Sequence, residues 1–233
     1  MEIFNNNLNQ VEEGILILID KPIKWTSFEV VKKIRYVLKK TTGKKKLKVG
    51  HAGTLDPLAS GLLVIATGKA TKKISLIQNM NKSYIGKIIL GSTTPSFDLE
   101  TKINNHFPTE HINLDLINKT KEMFVGRIKQ TPPIYSAIKI NGKRLYEYAR
   151  NNQQIQISKR EVEIKKFDIK SFNINEIEFI INCSKGTYIR SLVNDFGLAL
   201  NSGAYLSSLR RISIGNYSIK NAIKINAFEK QFI

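Results

Sequence analysis

Cysteine, proline and acidic residues are all scarce in this chain of 233 residues. Cys183 is the only cysteine, which excludes an internal disulfide and a zinc site built from cysteines. No apolar run approaches the roughly 18 residues that a membrane-spanning helix needs. Residues 1–13 form a polar, acidic extension that does not have the pattern of a secretory signal. These absences predict a cytoplasmic protein with no membrane association.

The shortage of acidic residues leaves the chain strongly basic. Only 19 aspartates and glutamates oppose 37 lysines and arginines, so the formal net charge is +18. This excess predicts a polyanionic partner, and nucleic acid is the first candidate. An alternative remains open, because a coding bias toward Ile, Lys and Asn would produce the same excess without any function.

Apolar residues, 42% of the chain, fall into short segments with clear patterns. GILILID (14–20) and GLLVIATG (61–68) are continuous apolar runs typical of buried strands. TSFEVVKKIRYVLKK has apolar residues at helical spacing, with Thr26 and Glu29 in position for a capping box. Similar patterns predict strands in 82–91, 160–172, 176–186 and 206–219, and helices in 69–80, 113–126 and 187–200. Such a mixture, without strict alternation, predicts an α+β fold around one mixed sheet.

Motifs for several common chemistries fail on inspection. A phosphate loop is excluded because Ala70 stands where a magnesium-binding Ser or Thr is required. His106, Glu110 and His111 have the wrong spacing for a zinc helix, which Pro108 would also break. No Gly-x-Ser-x-Gly elbow of a serine hydrolase is present. We therefore expect neither a metal nor another cofactor.

One carboxylate, Asp56, lies in the most glycine-rich stretch, KVGHAGTLDPLASG (48–61). The proline after Asp56 keeps it out of a helix, and the neighbouring glycines allow the backbone to approach a ligand closely. These residues can hold a carboxylate at the edge of a cleft. A structural turn would use the same residue types. The local sequence leaves both interpretations open.

Beyond this stretch, six ordered segments carry a resemblance to a known family. GHAGTLDPLASGLLVIATGKATK resembles the catalytic motif of the TruB family, the tRNA pseudouridine-55 synthases. ILIDKP, KSYIGKIILG, PPIYSAIKINGKRLYEYAR, CSKGTYIRSL and LSSLRR also resemble family segments, in the family's order. The resemblance implies a pseudouridine-synthase-like fold, with a mixed, largely antiparallel sheet, flanking helices and a catalytic cleft. It implies one catalytic domain over residues 14–233, with an insertion around 124–154 that contacts RNA.

The activity implied by the resemblance is conversion of the T-loop uridine of tRNA to pseudouridine. The uracil must be flipped out of the RNA stack before an enzyme can reach it. The N-glycosidic bond is then broken, the base turns, and it is rejoined through carbon. The family's essential carboxylate corresponds to Asp56. The resemblance further implies the T-loop and T-stem of tRNA as the partner, with no cofactor, no metal and no obligatory protein partner.

The substrate-binding residues implied by the resemblance lie in the remaining segments. Tyr84 corresponds to the aromatic residue that stacks on the flipped base, although a strand tyrosine would also suit the core. Tyr188 matches a second tyrosine. Arg190 matches the arginine that pairs with the catalytic aspartate, although alone it would suit a solvated helix start. His51 matches the residue that takes the place of a displaced base in the T-loop stack. Leu209 matches a residue that forms an apolar wall of the uracil pocket.

Supporting roles are implied for Lys21 and Asp98, and two features depart from the family. The segment TTPSF before Asp98 differs from the sequence that is commoner in the family at this place. A C-terminal PUA domain is common in the family, whereas the sequence after Arg211 is short, so we expect the catalytic domain alone to grip tRNA. Two other functions remain as alternatives: a guide-RNA-type rRNA pseudouridine synthase, and a non-catalytic protein that binds or folds RNA.

Overall fold

The structure is a computed structural model that describes residues 10–151 and 153–232. These residues form fourteen strands and six α-helices. In chain order the elements are β1 (Leu16–Lys21), α1 (Ser27–Thr42), β2 (Val49–His51), β3 (Ala59–Thr67), α2 (Ile74–Gln78), β4 (Lys82–Leu90), β5 (Ser92–Thr93), β6 (Asn105–His106), α3 (Leu114–Glu122), β7 (Gly126–Gln130), β8 (Lys139–Ile140), β9 (Lys143–Arg144), α4 (Leu145–Arg150), β10 (Arg160–Asn173), β11 (Glu176–Cys183), α5 (Ile189–Ala199), β12 (Ala204–Ile214), β13 (Tyr217–Ser218), β14 (Ile223–Lys224) and α6 (Ile225–Lys230). Short 3-10 helices cover Gly68–Lys73 and Ile219–Asn221.

The chain is divided into two compact units. Unit 1 contains Met1–Tyr84 together with Leu209–Ile233, and unit 2 contains Ile85–Ser208. Most of the predicted N-terminal extension, residues 1–9, lies outside the described residues. Val11, within that predicted extension, is buried in the core of unit 1.

In unit 1 the strands follow the order β14-β1-β3-β12, with β2 also paired to β3 and β13 to β12. β1 and β3 are antiparallel, whereas β14 runs parallel to β1 and β12 parallel to β3. Alternate residues of β1 and β3 enter two separate apolar clusters: Ile17 and Ile65 pack with α1, while Leu18 and Val64 pack with Ile77 of α2. Both faces of these strands are therefore buried, as their continuous apolar sequences predict. Each such side chain contributes about 1.5–3 kcal/mol on burial.

Helix α1 begins and ends where its sequence indicates. Thr26 accepts a hydrogen bond from the backbone N–H of Glu29, and the Glu29 carboxylate accepts one from Thr26, which completes the predicted capping box. Gly43 ends the helix with a φ of 69°, a left-handed conformation that glycine adopts without steric cost. The helix predicted over 69–80 is shorter: a 3-10 segment precedes α2, and neither has a side-chain N-cap.

Unit 2 contains residues 204–208 of β12 and 85–90 of β4, together with β11, β10 and β7, and the sheet order is β12-β4-β11-β10-β7. β10 is antiparallel to both β11 and β7, and its register shifts near Ile164 and Ile169 mark irregular pairing. Helix α5 buries an apolar face in which Phe196 contacts Phe167 of β10 edge to face. The predicted RNA-contacting insertion (124–154) contains β7, the β8–β9 ribbon and α4; its contact with RNA stays a prediction.

The predicted α+β class with a mixed, mostly antiparallel sheet is confirmed by this architecture. Across the described residues, no helix has both the length and the apolar character needed to span a membrane.

Candidate active site

The loop that carries Asp56 joins two paired strands of unit 1. β2 and β3 are antiparallel, with His51 opposite Ile65, and residues 52–58 (the Asp56 loop) connect them. The backbone N–H of Ala59 donates to the carbonyl of Asp56 at 3.1 Å, which closes a turn before β3. Gly53 has a φ of 105°, a conformation that other residues rarely adopt. Asp56 is half-buried.

The start of α1 holds the middle of this loop. The Ser27 hydroxyl accepts a hydrogen bond from the backbone N–H of Leu55 at 2.8 Å and donates to its carbonyl at 3.0 Å. Lys24 has a φ of 69° and donates its backbone N–H to the carbonyl of Pro57 at 2.7 Å. The residues on both sides of Asp56 are thus fixed to the segment that leads into α1.

Arg211 of β12 holds the beginning of the loop from behind. Its side chain is 1% exposed. Nη2 donates to the carbonyl of Gly53 at 2.9 Å, Nη1 to that of Thr54 at 3.4 Å, and Nε to that of Leu62 at 2.8 Å. A Cβ at Gly61 would lie 2.3 Å from the carbonyl oxygen of Arg211, so only glycine lets β3 approach β12 here. Sequence reasoning noted Arg211 only as part of LSSLRR and did not identify this role.

Lys21 is a second buried cation beside the loop. Its Nζ donates to the carbonyls of Pro22 at 3.0 Å and Trp25 at 2.6 Å, and lies 3.5 Å from that of Pro57. Burial lowers the pKa of Lys21 to about 8; the negative charge of Asp56 opposes this shift, and the positive charge of Arg211 adds to it. The negative charge of Glu29 also opposes the shift, so Lys21 lies between the carboxylates of Asp56 and Glu29 on one side of the balance and the Arg211 guanidinium on the other.

His51 is half-buried at the end of β2. Burial lowers its pKa from the ordinary 6.5, and the charge of Arg211 lowers it further, against a hydrogen bond with the backbone of Gly53. The ring is consequently neutral at pH 7. A neutral imidazole offers a flat face for stacking, which fits the predicted substrate-binding role.

Two more predicted residues belong to unit 1. Tyr84, near the start of β4, is only 7% exposed. Leu209 pairs in register with Ala59, three residues after Asp56, and is half-buried. The structure thus places Leu209 beside the end of the Asp56 loop.

In unit 2, Arg190 and Asp98 form a buried ion pair. Nε of Arg190 lies 3.6 Å from Oδ2 of Asp98, and the two side chains are 4% and 7% exposed. Arg190 also donates to the carbonyls of Ser96 at 3.1 Å and Tyr135 at 2.9 Å. It is thus no solvated residue at a helix start: it fixes the loop before Asp98 to the insertion that contains Tyr135. Its predicted pairing with Asp56 stays a prediction.

Tyr188 immediately precedes α5, where Gln130 clamps its backbone. The Gln130 side chain donates to the Tyr188 carbonyl at 3.0 Å and accepts from its N–H at 2.8 Å. The Arg160 guanidinium lies over the Tyr188 ring, 5.0 Å from its centroid. Buried Gln130 and half-buried Arg160 had no signal in the sequence that would have linked them to Tyr188.

No group of three or more His, Cys, Asp or Glu side chains that would hold a metal ion occurs in residues 10–151 and 153–232. The predicted residues thus form two sets. Unit 1 contains Lys21, His51, Asp56, Tyr84 and Leu209, and unit 2 contains Asp98, Tyr188 and Arg190.

Comparison with known proteins defines the family. The family model of TruB family pseudouridylate synthase (N terminal domain) matches residues 39–189. The tRNA pseudouridine synthase B of Flavobacterium johnsoniae is 56% identical over 219 residues, which cover 94% of this chain and 96% of that protein. That of Phocaeicola vulgatus is 48% identical over 217 residues, or 93% and 92% of the two chains. The chain belongs to the TruB family of pseudouridylate synthases.

Solved structures extend the similarity to ribonucleoprotein components. A chain of an H/ACA RNP bound to a substrate RNA containing 2′-deoxyuridine superposes with a TM-score of 0.68 at 26% identity, and a chain of a Cbf5-Nop10-Gar1 complex with 0.69 at 26%. The matches cover 95% and 98% of this chain but only 54% and 60% of those chains.

Proposed function

We infer that this chain is a tRNA pseudouridine synthase that isomerises the T-loop uridine. The observation that carries this inference is its 56% identity, over almost the full length of both chains, to a relative named tRNA pseudouridine synthase B. The geometry around Asp56 supports it, because a loop fixed by Ser27, Arg211 and Lys24 presents one carboxylate to a ligand. Since the substrate is tRNA, we place the activity in the cytoplasm.

Asp56 is the catalytic residue in this proposal. The N1–C1′ bond of the uridine breaks, the uracil turns, and a C5–C1′ bond forms, while the proton from C5 is lost and N1 gains one. Cleavage develops positive charge on the sugar, which a carboxylate stabilises or attacks. Lys21 and Arg211 act as positioning residues, because they hold the carbonyls of Pro57 and Gly53 in the Asp56 loop. Whether Asp56 acts on the base, the sugar carbon or a sugar proton, the isomerisation needs no external oxidant or reductant.

Substrate binding falls to the remaining residues. We propose that Tyr84 stacks on the flipped base, a contact worth about 1–3 kcal/mol, and that Leu209 forms an apolar wall beside it. Neutral His51 takes the place of the displaced base in the RNA. Flipping costs a few kcal/mol, so these stacking contacts are of the size required to offset it. Tyr188 and Arg190 complete the set, with Asp98 as the buried partner that orients Arg190.

The guide-RNA type of enzyme is the second candidate, supported by the similarity to the H/ACA ribonucleoprotein chain. Its support is weaker, at 26% identity against 56% for the tRNA enzyme. The two functions differ in what the isolated chain does. A tRNA enzyme of this type acts alone, whereas the guide-RNA type needs partner proteins and a guide.

The test is incubation of the purified chain with unmodified tRNA transcript, followed by mapping of pseudouridine. We expect product at the T-loop uridine alone, and none with Asp56→Asn. Ser60→Ala, a nearby change outside the Asp56 loop, is the matched control and should retain activity. Binding without product in the wild type would refute the proposed function. Equal effects of the wild type and Asp56→Asn on RNA folding, without product from either, would favour the non-catalytic alternative.

A further inference from the structure

Two lysine-rich segments of unit 1, about 20 residues apart in sequence, lie side by side in the fold. The loop after α1 contains Lys44, Lys45, Lys46 and Lys48, and the 3-10 helix after β3 spans Gly68–Lys73. The backbone N–H of Gly68 donates to the Lys48 carbonyl at 2.9 Å, and Val49 pairs in register with Thr67. The sequence shows only the first segment as a charge cluster; the strand pairing adds the second.

Acidic residues neutralise only part of this cluster. Glu12 forms an ion pair with Lys44 at 2.6 Å, and Glu13 forms one with Lys69 at 2.7 Å. Within residues 10–151 and 153–232, the other lysines of the two segments form no ion pair and are exposed. These five residues, here called the lysine patch, are Lys45, Lys46, Lys48, Lys72 and Lys73.

Concentrating five unpaired cations is unfavourable in the free protein, because charges closer than a Debye length of about 8 Å repel one another. A polyanion relieves this repulsion and releases its own counterions on binding. The patch also lies close to His51 and the Asp56 loop. Lys48 directly precedes β2 and His51 ends it. At about 3.3 Å per residue, these two residues are about 10 Å apart.

We propose that the lysine patch binds the phosphate backbone of the RNA stem that carries the substrate uridine. This inference rests on the proposed function, since it assigns the RNA partner of the same site a second area of contact. We expect a stem whose loop lies against His51 and Asp56 to extend past the first residue of β2, where the patch lies. Backbone contacts position the RNA and do not select the base. The patch therefore contributes affinity and register, while the pocket chooses the uridine.

The test compares tRNA binding at several salt concentrations for the wild type and three variants. One variant changes Lys45, Lys46 and Lys48 to Gln, and another also changes Lys72 and Lys73. The charge-matched control changes three exposed lysines of other elements, Lys119, Lys165 and Lys230, to Gln. Thermal unfolding verifies that each variant is folded, which we expect because every altered side chain is exposed.

Each lost phosphate contact should reduce the slope of log affinity against log salt by about 0.7–0.9, so the triple patch variant should lose about 2–3. The five-residue variant should lose more, and the control triple variant less than 1. Both patch variants should still modify only the T-loop uridine once RNA is saturating. Equal slope losses in the patch and control triple variants would overturn the proposal, since net charge alone would then explain binding. A wild type that binds tRNA without forming product would refute the proposed function independently of the slopes.

Discussion

Replacing Arg211 with lysine keeps a positive charge behind the Asp56 loop but removes the planar guanidinium that spans it. Arginine reaches the carbonyls of Leu62, Gly53 and Thr54 at once because its donors diverge from a rigid fork. A lysine has one nitrogen on a flexible stem and reaches one of these carbonyls at most. We expect the variant to fold, with Gly53 and Thr54 released.

The size of the effect follows from the contacts. A hydrogen bond from a charged group contributes about 1.5–3 kcal/mol. The bond to Gly53, at 2.9 Å, is the strong one that lysine loses, whereas the bond to Thr54 at 3.4 Å is weak. The variant then loses about 2 kcal/mol of the free energy that holds the loop in place. Because a misplacement of about 1 Å at a reacting group costs about 100-fold in rate, we expect single-turnover pseudouridine formation to fall about 100-fold.

The assay separates chemistry from binding and folding. Single-turnover rates at saturating tRNA should fall in Arg211→Lys, while the Kd for tRNA changes less than threefold. Arg210→Lys is the matched control: Arg210 is the adjacent residue, and its guanidinium pairs with Asp20 and not with the loop. We expect it to retain the wild-type rate within a factor of about 3, since partly exposed ion pairs contribute little.

Two results would refute this reasoning. If Arg211→Lys kept the wild-type rate, the loop would be fixed without the guanidinium. If Arg210→Lys lost activity to the same degree, the effect would come from the strand as a whole and not from the contacts to Gly53 and Thr54.

Two further predictions concern buried charges. The pKa of Lys21 is about 8 in the folded protein against 10.5 ordinarily, so the unfolded chain binds more protons between these values. The free energy of unfolding should therefore gain up to about 3 kcal/mol from this group as the pH rises from 8 to 10.5. Urea titrations at both pH values should show this gain in the wild type but not in Lys21→Met. Equal pH dependence in the two proteins would contradict the prediction. Asp98→Asn removes the buried carboxylate that pairs with Arg190 and should lower the free energy of unfolding by about 3–5 kcal/mol. Glu161→Gln removes an exposed partner of Arg127 and should cost less than about 1 kcal/mol in the same urea titration; a similar loss in both variants would show that the buried pair is not special.

Local pattern was sufficient for much of the fold. The capping box of Thr26 and Glu29, the buried runs of β1 and β3, and the apolar face of α5 are all encoded within a few residues of one another. Such features depend on helical or strand periodicity and on the unsatisfied groups at helix ends, which a sequence displays directly.

The contacts that fix the site are of another kind. Ser27 and Leu55 are 28 residues apart, Gln130 and Tyr188 are 58, and Gly53 and Arg211 are 158. No periodicity connects such residues. A serine, glutamine or arginine that bonds to the backbone of a distant loop cannot be distinguished in the sequence from one that is exposed to solvent. The family resemblance pointed to Lys21 and Asp98 as supporting residues, but not to Ser27, Gln130 or Arg211, which hold neighbouring backbone in place.

The division of unit 1 between the two ends of the chain has a consequence for how the protein is made. A ribosome delivers residues 85–208 before it delivers Leu209–Ile233, and chains generally fold domain by domain as they emerge. Unit 2 is therefore available to fold while unit 1 still lacks the strand that carries Arg211. The Asp56 loop acquires the Arg211 anchor only after all of unit 2 has been synthesised. A nascent chain that stops before Arg211 can therefore contain Asp56 and most of the fold and still be without a fixed active site.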